Sequence, residues 1–368
     1  MAEDRSLEMA MAECAATLVA YSRRAPANIR RCLENAHPNV LRLVPEIQQR
    51  MQAQVDAIAT NEAFFDGLLR AVMPDADRNV PAKYYDGGAT IQGLLTQLRR
   101  EWSNEGAAER EHCFASVLDA LVRHMPPPVD SASAPPKVLV PGAGLSRLNW
   151  ELKLRKYAPC GIERACSMLL ASDYIFEHLL RSERSVAICP HAQEHSIGPT
   201  NVKRGSADLG RRVLVPDRDA IQAAAGMPAK AFTSSTIPGD FSAFSAQPEQ
   251  RGAWDAVLSC FYVDASGDVI EAAEATRRVL KPNGLWVCCG PLEYDGTGGG
   301  HQEDGALRLC ADELMLFVER RGFQILEQRY QRCDYTSDPE SMLQIGFHAL
   351  FFVARRVADA VSGGERSS

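Results

Sequence analysis

The apolar positions change their period along the chain. From residue 1 to about 80 they recur at helical spacing, as in Leu41, Leu43, Val44, Ile47, Met51, Val55 and Ile58, which predicts a helical N-terminal region. Helical spacing resumes with Leu94, Leu95, Leu98 and Trp102, then Phe114, Val117, Leu118 and Leu121, an apolar stripe with polar residues opposite. The stretch MPPPVDSASAPPK follows, and its prolines and small polar residues read as a linker. After Lys137 short apolar runs alternate with helical segments. Val138–Val140 is such a run, bounded by a breaker, and suits a central parallel strand buried on both faces. A second unit covers WDAVLSC, a helix ending near Lys281-Pro282-Asn283-Gly284, and a further apolar run. DELMLFVERRGFQILEQRYQ reads as helix then strand, and HALFFVARR as a last strand. This alternation predicts a doubly wound α/β sheet with helices on both faces, Rossmann-like, preceded by a helical region. The divisions are 1–126 for that helical region, 127–136 for the linker, 137–357 for the sheet domain and 358–368 for a disordered tail.

With 368 residues, 46% of them hydrophobic, the chain can bury one α/β core of about 200 to 250 residues plus an accessory segment. A net charge of −7 and a pI near 5.7 disfavour a nucleic-acid partner, which calls for a basic surface. A small molecule or a peptide fits better. The eleven cysteines are scattered and form no CxxC pair, so reduced thiols are expected. No secretory signal and no uninterrupted apolar run of about 18 residues is present. The expected setting is soluble and cytoplasmic, with the nucleus also open to it, and no membrane partner.

Candidate chemistry begins at Pro141-Gly142-Ala143-Gly144-Leu145, directly after the first apolar run. Gly142 and Gly144 let the backbone turn sharply and let a ligand approach where a Cβ would stand, and the next helix offers free N–H groups. Alone, such a turn is equally well an ordinary strand–helix connection. Glu163 shifts that balance: it lies about 20 residues further on, at the end of the next expected strand, where an acid can accept both hydroxyls of a ribose. Dinucleotide enzymes share this feature, but the turn has Arg147 in place of a third glycine and no nicotinamide domain is evident. S-adenosylmethionine has no pyrophosphate to cradle, and the shorter glycine motif suffices for it. Ser259 and Cys260 follow Ala256–Leu258 at a strand's carboxyl end, where open α/β sheets bind ligands; Ser259 is expected to meet the cofactor through its backbone and Cys260 to pack. Cys189, His191 and His195 in CPHAQEHS are spaced like metal ligands, but no fourth ligand accompanies them and no metal is expected. NVKRGSADLGRRVLVPDRD reads as a solvated, charge-mixed loop.

Taken together, PGAGLSRLNWEL, GIERACSMLLASDYI, GDF, CFYVDAS, LKPNGLWVCCGPLEY and the upstream RREWSNEGAAERE resemble the carnosine N-methyltransferase family, over roughly residues 85–355. The resemblance implies a class I methyltransferase sheet, S-adenosylmethionine as cofactor and methyl transfer to an imidazole nitrogen of a histidine dipeptide, carnosine giving anserine. It also implies that the helical N-terminal region can form a homodimer. Residue by residue, it places Gln97 and Arg100 at the cofactor's methionine end and Asp240 and Phe241 on the adenine; Arg99 itself reads as part of a solvated helix face. Asp264 becomes a substrate-binding carboxylate that holds the imidazole N–H; the plain alternative for it is an N-cap to the following helix.

The match is uneven. Where the family commonly reads GPLLYH, this chain has GPLEYD, so Tyr294 is kept and Asp295 stands in place of a substrate-contacting histidine. The family's AHN becomes ASGD, with Gly267 and Asp268, and QIGFHALFF lacks the expected tyrosines, although Phe347 and His348 are positioned to fill their space. Cofactor features are kept and substrate features drift. Methyl transfer to another acceptor, such as a protein histidine, and a cofactor-binding chain without turnover are the alternatives to carnosine.

Overall fold

A computed structural model describes residues 2–79, 89–129, 133–192, 205–293 and 307–358. Among the described residues nine strands are formed: β1 (Lys137–Pro141), β2 (Ala158–Glu163), β3 (Val186–Ile188), β4 (Val213–Val215), β5 (Thr236–Pro238), β6 (Trp254–Cys260), β7 (Leu280–Gly290), β8 (Phe323–Asp334) and β9 (Gly346–Arg356). Seven of them make one sheet in the order β5-β2-β1-β6-β7-β9-β8, while β3 and β4 pair as a separate antiparallel ribbon. Every neighbour in the large sheet is parallel until β9, which runs antiparallel to both β7 and β8. The chain winds outward from β1 through β2 to β5, then returns to start again at β6 beside β1. The switch point between β1 and β6 is therefore where a ligand crevice opens, beyond the carboxyl ends of the strands.

β1 shows why its residues form a central strand. Val138 and Val140 face a cluster containing Phe114, Val117, Leu121 and Phe351. Leu139 points the other way, toward Phe241, Val257, Val269 and Trp286. Both faces are dry, so the run is apolar throughout instead of alternating. The helix Val269–Val279 ends just before the KPNG segment, as expected, and that segment lies in the strand that follows. Leu280 already pairs with Trp254, and Ala256 next pairs with Leu285. Residues 281–284 thus bulge from the strand, with Asn283 at φ 66°, a conformation asparagine tolerates better than most residues.

The N-terminal region is helical over Ala2–Glu34, Pro38–Leu43, Glu46–Val72 and Ala89–Trp102. The expected apolar stripe breaks in two. Met51 and Ile58 are buried, whereas Leu43 and Val44 are exposed, because the helix stops at Val44-Pro45 and restarts and the two halves no longer share a face. These helices have one core with parts of the sheet domain: Leu68, Leu95 and Trp102 pack in the same cluster as Leu145, Trp150, Phe176 and Val215.

After Trp102 the chain turns at Asn104–Gly106 into the helical stretch 107–124. A Cβ on Gly106 would lie 2.0 Å from the Arg100 carbonyl oxygen. Gly106→Ala is accordingly expected to push the end of the Ala89–Trp102 helix aside and lower stability by about 2–3 kcal/mol; urea unfolding checks it, and a loss under about 0.5 kcal/mol would show that the turn yields freely.

Candidate active site

A cavity opens at the switch point. Gln97, Arg100, Gly142, Gly144, Glu163, Asp240 and Phe241 all line it, brought together from the Ala89–Trp102 helix, the turn after β1, the end of β2 and the start of the Phe241–Ala246 helix. Ser259 does not line it. Its buried hydroxyl accepts the Trp286 indole N–H at 3.1 Å, and the next residue, Cys260, reaches the cavity instead, with burial pushing its thiol up to about 12. Adjacent strand residues point to opposite faces, so the Ser259 side chain turns to Trp286 while Cys260 lines the cavity.

The glycine turn is shaped by what stands over it. Gly142 and Gly144 have φ 64° and 55°. A Cβ on Gly142 would meet the Tyr262 ring at 2.5 Å, and one on Gly144 would meet Glu101 Oε1 at 2.8 Å. Glu163 accepts the Gly144 N–H on Oε2 at 2.8 Å and the Arg164 and Ala165 N–H groups on Oε1, both at 2.8 Å. A carboxylate accepts about four hydrogen bonds, so Oε2 keeps one position for a ligand. Asp240 divides its work similarly. Oδ1 caps the following helix through Ser242 and Ala243 N–H, while Oδ2 faces Arg164 at 3.9 Å.

Arg100 is buried among rings, its guanidinium 4.7 Å from the Tyr335 centroid, 5.3 Å from Phe114 and 5.7 Å from Phe261. It pairs with Glu109 at 2.5 Å. Burial opposes its charge, but the fields of Tyr335, Glu109 and Glu101 outweigh that and hold it firmly cationic. Gln97 accepts from Arg100 at 3.4 Å and donates to the Tyr335 hydroxyl at 3.0 Å. Arg99 is buried, at 1% exposure, rather than solvated. The segment after β8 closes over it, and Nη2 donates to the Ser337 carbonyl.

Among the cavity residues that went unread in the sequence are Glu101, Phe261 and Tyr335. Glu101 had a usable signal, since positions i, i+3 and i+4 share a helix face and Gln97, Arg100 and Glu101 are so spaced. Phe261 directly follows β6 at φ 54° and stacks on Tyr335 at 4.8 Å, with Phe347 6.0 Å away. Phe347 thus joins an aromatic wall in the region where tyrosines were missing. Asp264 sits beside the cavity-lining Ala265 and Ser266. Its Oδ2 accepts the Glu293 N–H at 3.2 Å, and burial raises its pKa. It does not cap the next helix; Asp268 does, through Ile270 and Glu271 N–H. The ASGD departure therefore supplies a helix cap. Tyr294 and Asp295, the other two substrate candidates, lie outside the described residues.

Away from the cavity, buried Cys189 donates its backbone N–H to Asn61 Oδ1 at 2.7 Å, and His191 lies between Arg211 and Asp338; His195 is outside the described residues. The supposed solvated loop contains β4 and the buried Asp217, which holds Arg110 and Arg147 at 3.0 and 2.6 Å. No helix among the described residues is long and apolar enough to cross a membrane.

A parallel sheet wound in this order, closed by one antiparallel strand and carrying a glycine turn on β1 and an acid at the end of β2, is the class I methyltransferase fold. A family model described as carnosine N-methyltransferase matches residues 82–358, and the chain belongs to that family. It is similar to carnosine N-methyltransferase of Mus musculus, with 29% identity over 75% of this chain and 65% of that one. It is also similar to the Drosophila melanogaster protein named carnosine N-methyltransferase unmet, with 30% identity over 72% of this chain and 55% of that one. The Schizosaccharomyces pombe carnosine N-methyltransferase shows 25% identity over 88% and 85%. The chain thus spans 65% of the mouse relative's length and 55% of the fly relative's.

Proposed function

We propose that the chain is an S-adenosylmethionine-dependent N-methyltransferase acting on an imidazole nitrogen of carnosine, to give anserine, or of a related histidine-containing peptide. The carrying observation is the convergence of the glycine turn, Glu163, Asp240, Phe241, Gln97 and Arg100 on one cavity. The residues fit the cofactor: the turn has no room for side chains where a ligand must approach, Glu163 retains an acceptor position for a ribose hydroxyl, and from the cavity wall Asp240 would accept an exocyclic amine and Phe241 would cover the adenine ring. When bound, S-adenosylmethionine supplies an electrophilic methyl group.

The protein's task is then to hold a neutral nitrogen in line and to take up a proton. Imidazole is mostly neutral at pH 7, with a pKa near 6.5, so alignment dominates. Phe261, Tyr335 and Phe347 offer flat surfaces for the ring, and Tyr335 is itself fixed by Gln97. Asp264 orients the ring through its N–H and accepts the proton afterward. Asp264→Ala is expected to leave cofactor affinity within about twofold and to lower kcat/KM for the acceptor by about 10²-fold or more. Calorimetry and steady-state kinetics check the two parts, and unchanged kinetics would remove Asp264 from the substrate site.

The testing experiment is transfer of labelled methyl from S-adenosylmethionine to carnosine, homocarnosine and histidine, with the methylated nitrogen located by mass spectrometry. Anserine formation supports the reading. Labelling of a protein histidine alone would move the acceptor class, and cofactor binding with no transfer to any acceptor would overturn catalysis.

A further inference from the structure

Glu101 is the cavity's most deeply buried carboxylate, at 4% exposure. Oε1 lies over Gly144, 2.8 Å from where a Cβ would be, which is the side from which glycine leaves the backbone open. β1 itself brings no acid to this place, ending in Val140-Pro141. Oε2 accepts the Arg147 N–H at 3.3 Å. The nearest cation, Arg100, stands 3.9 Å from Oε1 and is committed to Glu109 at 2.5 Å. Glu101 is thus a buried carboxylate that shares its nearby cation with the closer Glu109, in the wall of a cavity that Arg100 and Gln97 also line. A buried charge in that condition is costly and is kept where something pays for it.

We propose that Glu101 is the counter-ion of the cofactor's α-ammonium group, Gln97 and Arg100 serving the adjoining carboxylate. The inference rests on the cofactor reading above and adds a second recognition element to it. The amino-acid end is a zwitterion whose two charges are close neighbours, and one helix presents Arg100 and Glu101 side by side to match them. The pair also explains the charge of the cavity wall, where Glu101, Glu163 and Asp240 outnumber Arg100 and Arg164, as suits a ligand that carries a sulfonium in addition to its zwitterion.

Capture is also proton-linked. Burial pushes the Glu101 carboxyl up to about 7, against the lowering effect of Arg100 and of the Arg147 and Leu145 N–H donors, with Glu163 adding to the rise. The other titratable groups around it are Arg110, Cys260 and Tyr335. Only the ionised form can pair with an ammonium, so affinity falls as pH drops through that value.

The test is calorimetry of the full chain and Glu101→Gln with S-adenosylhomocysteine and with 5′-S-(3-carboxypropyl)-5′-thioadenosine, which keeps the carboxylate and lacks the ammonium. Glu101→Gln is expected to lose about 10- to 100-fold for S-adenosylhomocysteine, to bind the deamino analogue as the parent does, and to regain part of the loss as Glu101→Asp. Equal weakening toward both ligands, or none toward either, overturns the proposal. If Glu101→Gln does not fold, the parent protein decides: below pH 7, S-adenosylhomocysteine affinity is expected to fall toward tenfold per pH unit while that of the deamino analogue stays flat, and parallel profiles overturn it. A parent protein that binds neither ligand at any pH defeats the cofactor reading itself.

Discussion

Replacing Asp217 with alanine is expected to cost the folded chain about 3–5 kcal/mol, enough to unfold a domain of ordinary stability at moderate temperature. Asp217 is 2% exposed. Oδ2 accepts Arg147 Nη1 at 2.6 Å and Arg110 Nη2 at 3.0 Å, and Oδ1 caps the Arg218–Ala224 helix through the Ala220 N–H at 2.8 Å. Alanine leaves two buried guanidinium groups facing each other. The mutual repulsion already shows in Arg110, which burial and Arg147 together lower to about 10. The damage travels to the cavity. Arg147 lies over the Trp102 ring at 5.0 Å and donates to the Glu101 carbonyl, and Arg110 donates to the carbonyls of Arg100 and Ser103. Together they fasten the end of the Ala89–Trp102 helix to the glycine turn. Asp217→Asn keeps one acceptor oxygen, which serves either the cap or the arginines but not both, and is expected to lose less than alanine. Urea unfolding at pH 7 checks both, and a loss below about 1 kcal/mol for alanine would show that the arginines find solvent.

The residues that were legible in the sequence are those whose signal is local. Val138–Val140 announces a strand buried on both faces, the glycines after it announce a turn, and Glu163 follows at the distance one helix imposes. What was not legible depends on distant chain. Arg99 fits a solvated helix face until the segment after β8 covers it and Ser337 takes its Nη2. Asp217 sits in a charge-mixed stretch that looks like a loop, yet its arginine partners come from 107 and 70 residues away. Tyr335 joins the cavity only because β8 and β9 fold back to stack it on Phe261. Asp264 and Asp268 are four residues apart and equally suited to cap a helix; only the start of that helix at Val269 assigns the cap to Asp268.

Glu163→Ala is expected to weaken binding of S-adenosylmethionine by about 100-fold or more while costing only about 1–2 kcal/mol of stability. The two numbers separate because the carboxylate does two jobs. Before any ligand arrives, it ties the Gly144 N–H to those of Arg164 and Ala165 and so holds the turn against the end of β2. Water can replace part of that, since the groups around Arg164 are exposed. In the proposed complex, pairing with a ribose hydroxyl would be a charge-assisted bond made only with the ligand bound, one that water competing in the cavity would not replace. Alanine removes that bond and also relaxes the backbone on which the rest of the ligand must lie. Glu163→Gln is a sharper version. Its carbonyl can keep either Gly144 or the Arg164 and Ala165 pair, but its NH2 must then face N–H donors on the other side, so it is expected to bind more weakly than the parent without a gain in stability. Calorimetry with S-adenosylmethionine and thermal unfolding on the same samples resolve the two effects, and normal affinity in Glu163→Ala would reject the ribose role whatever happened to the melting temperature.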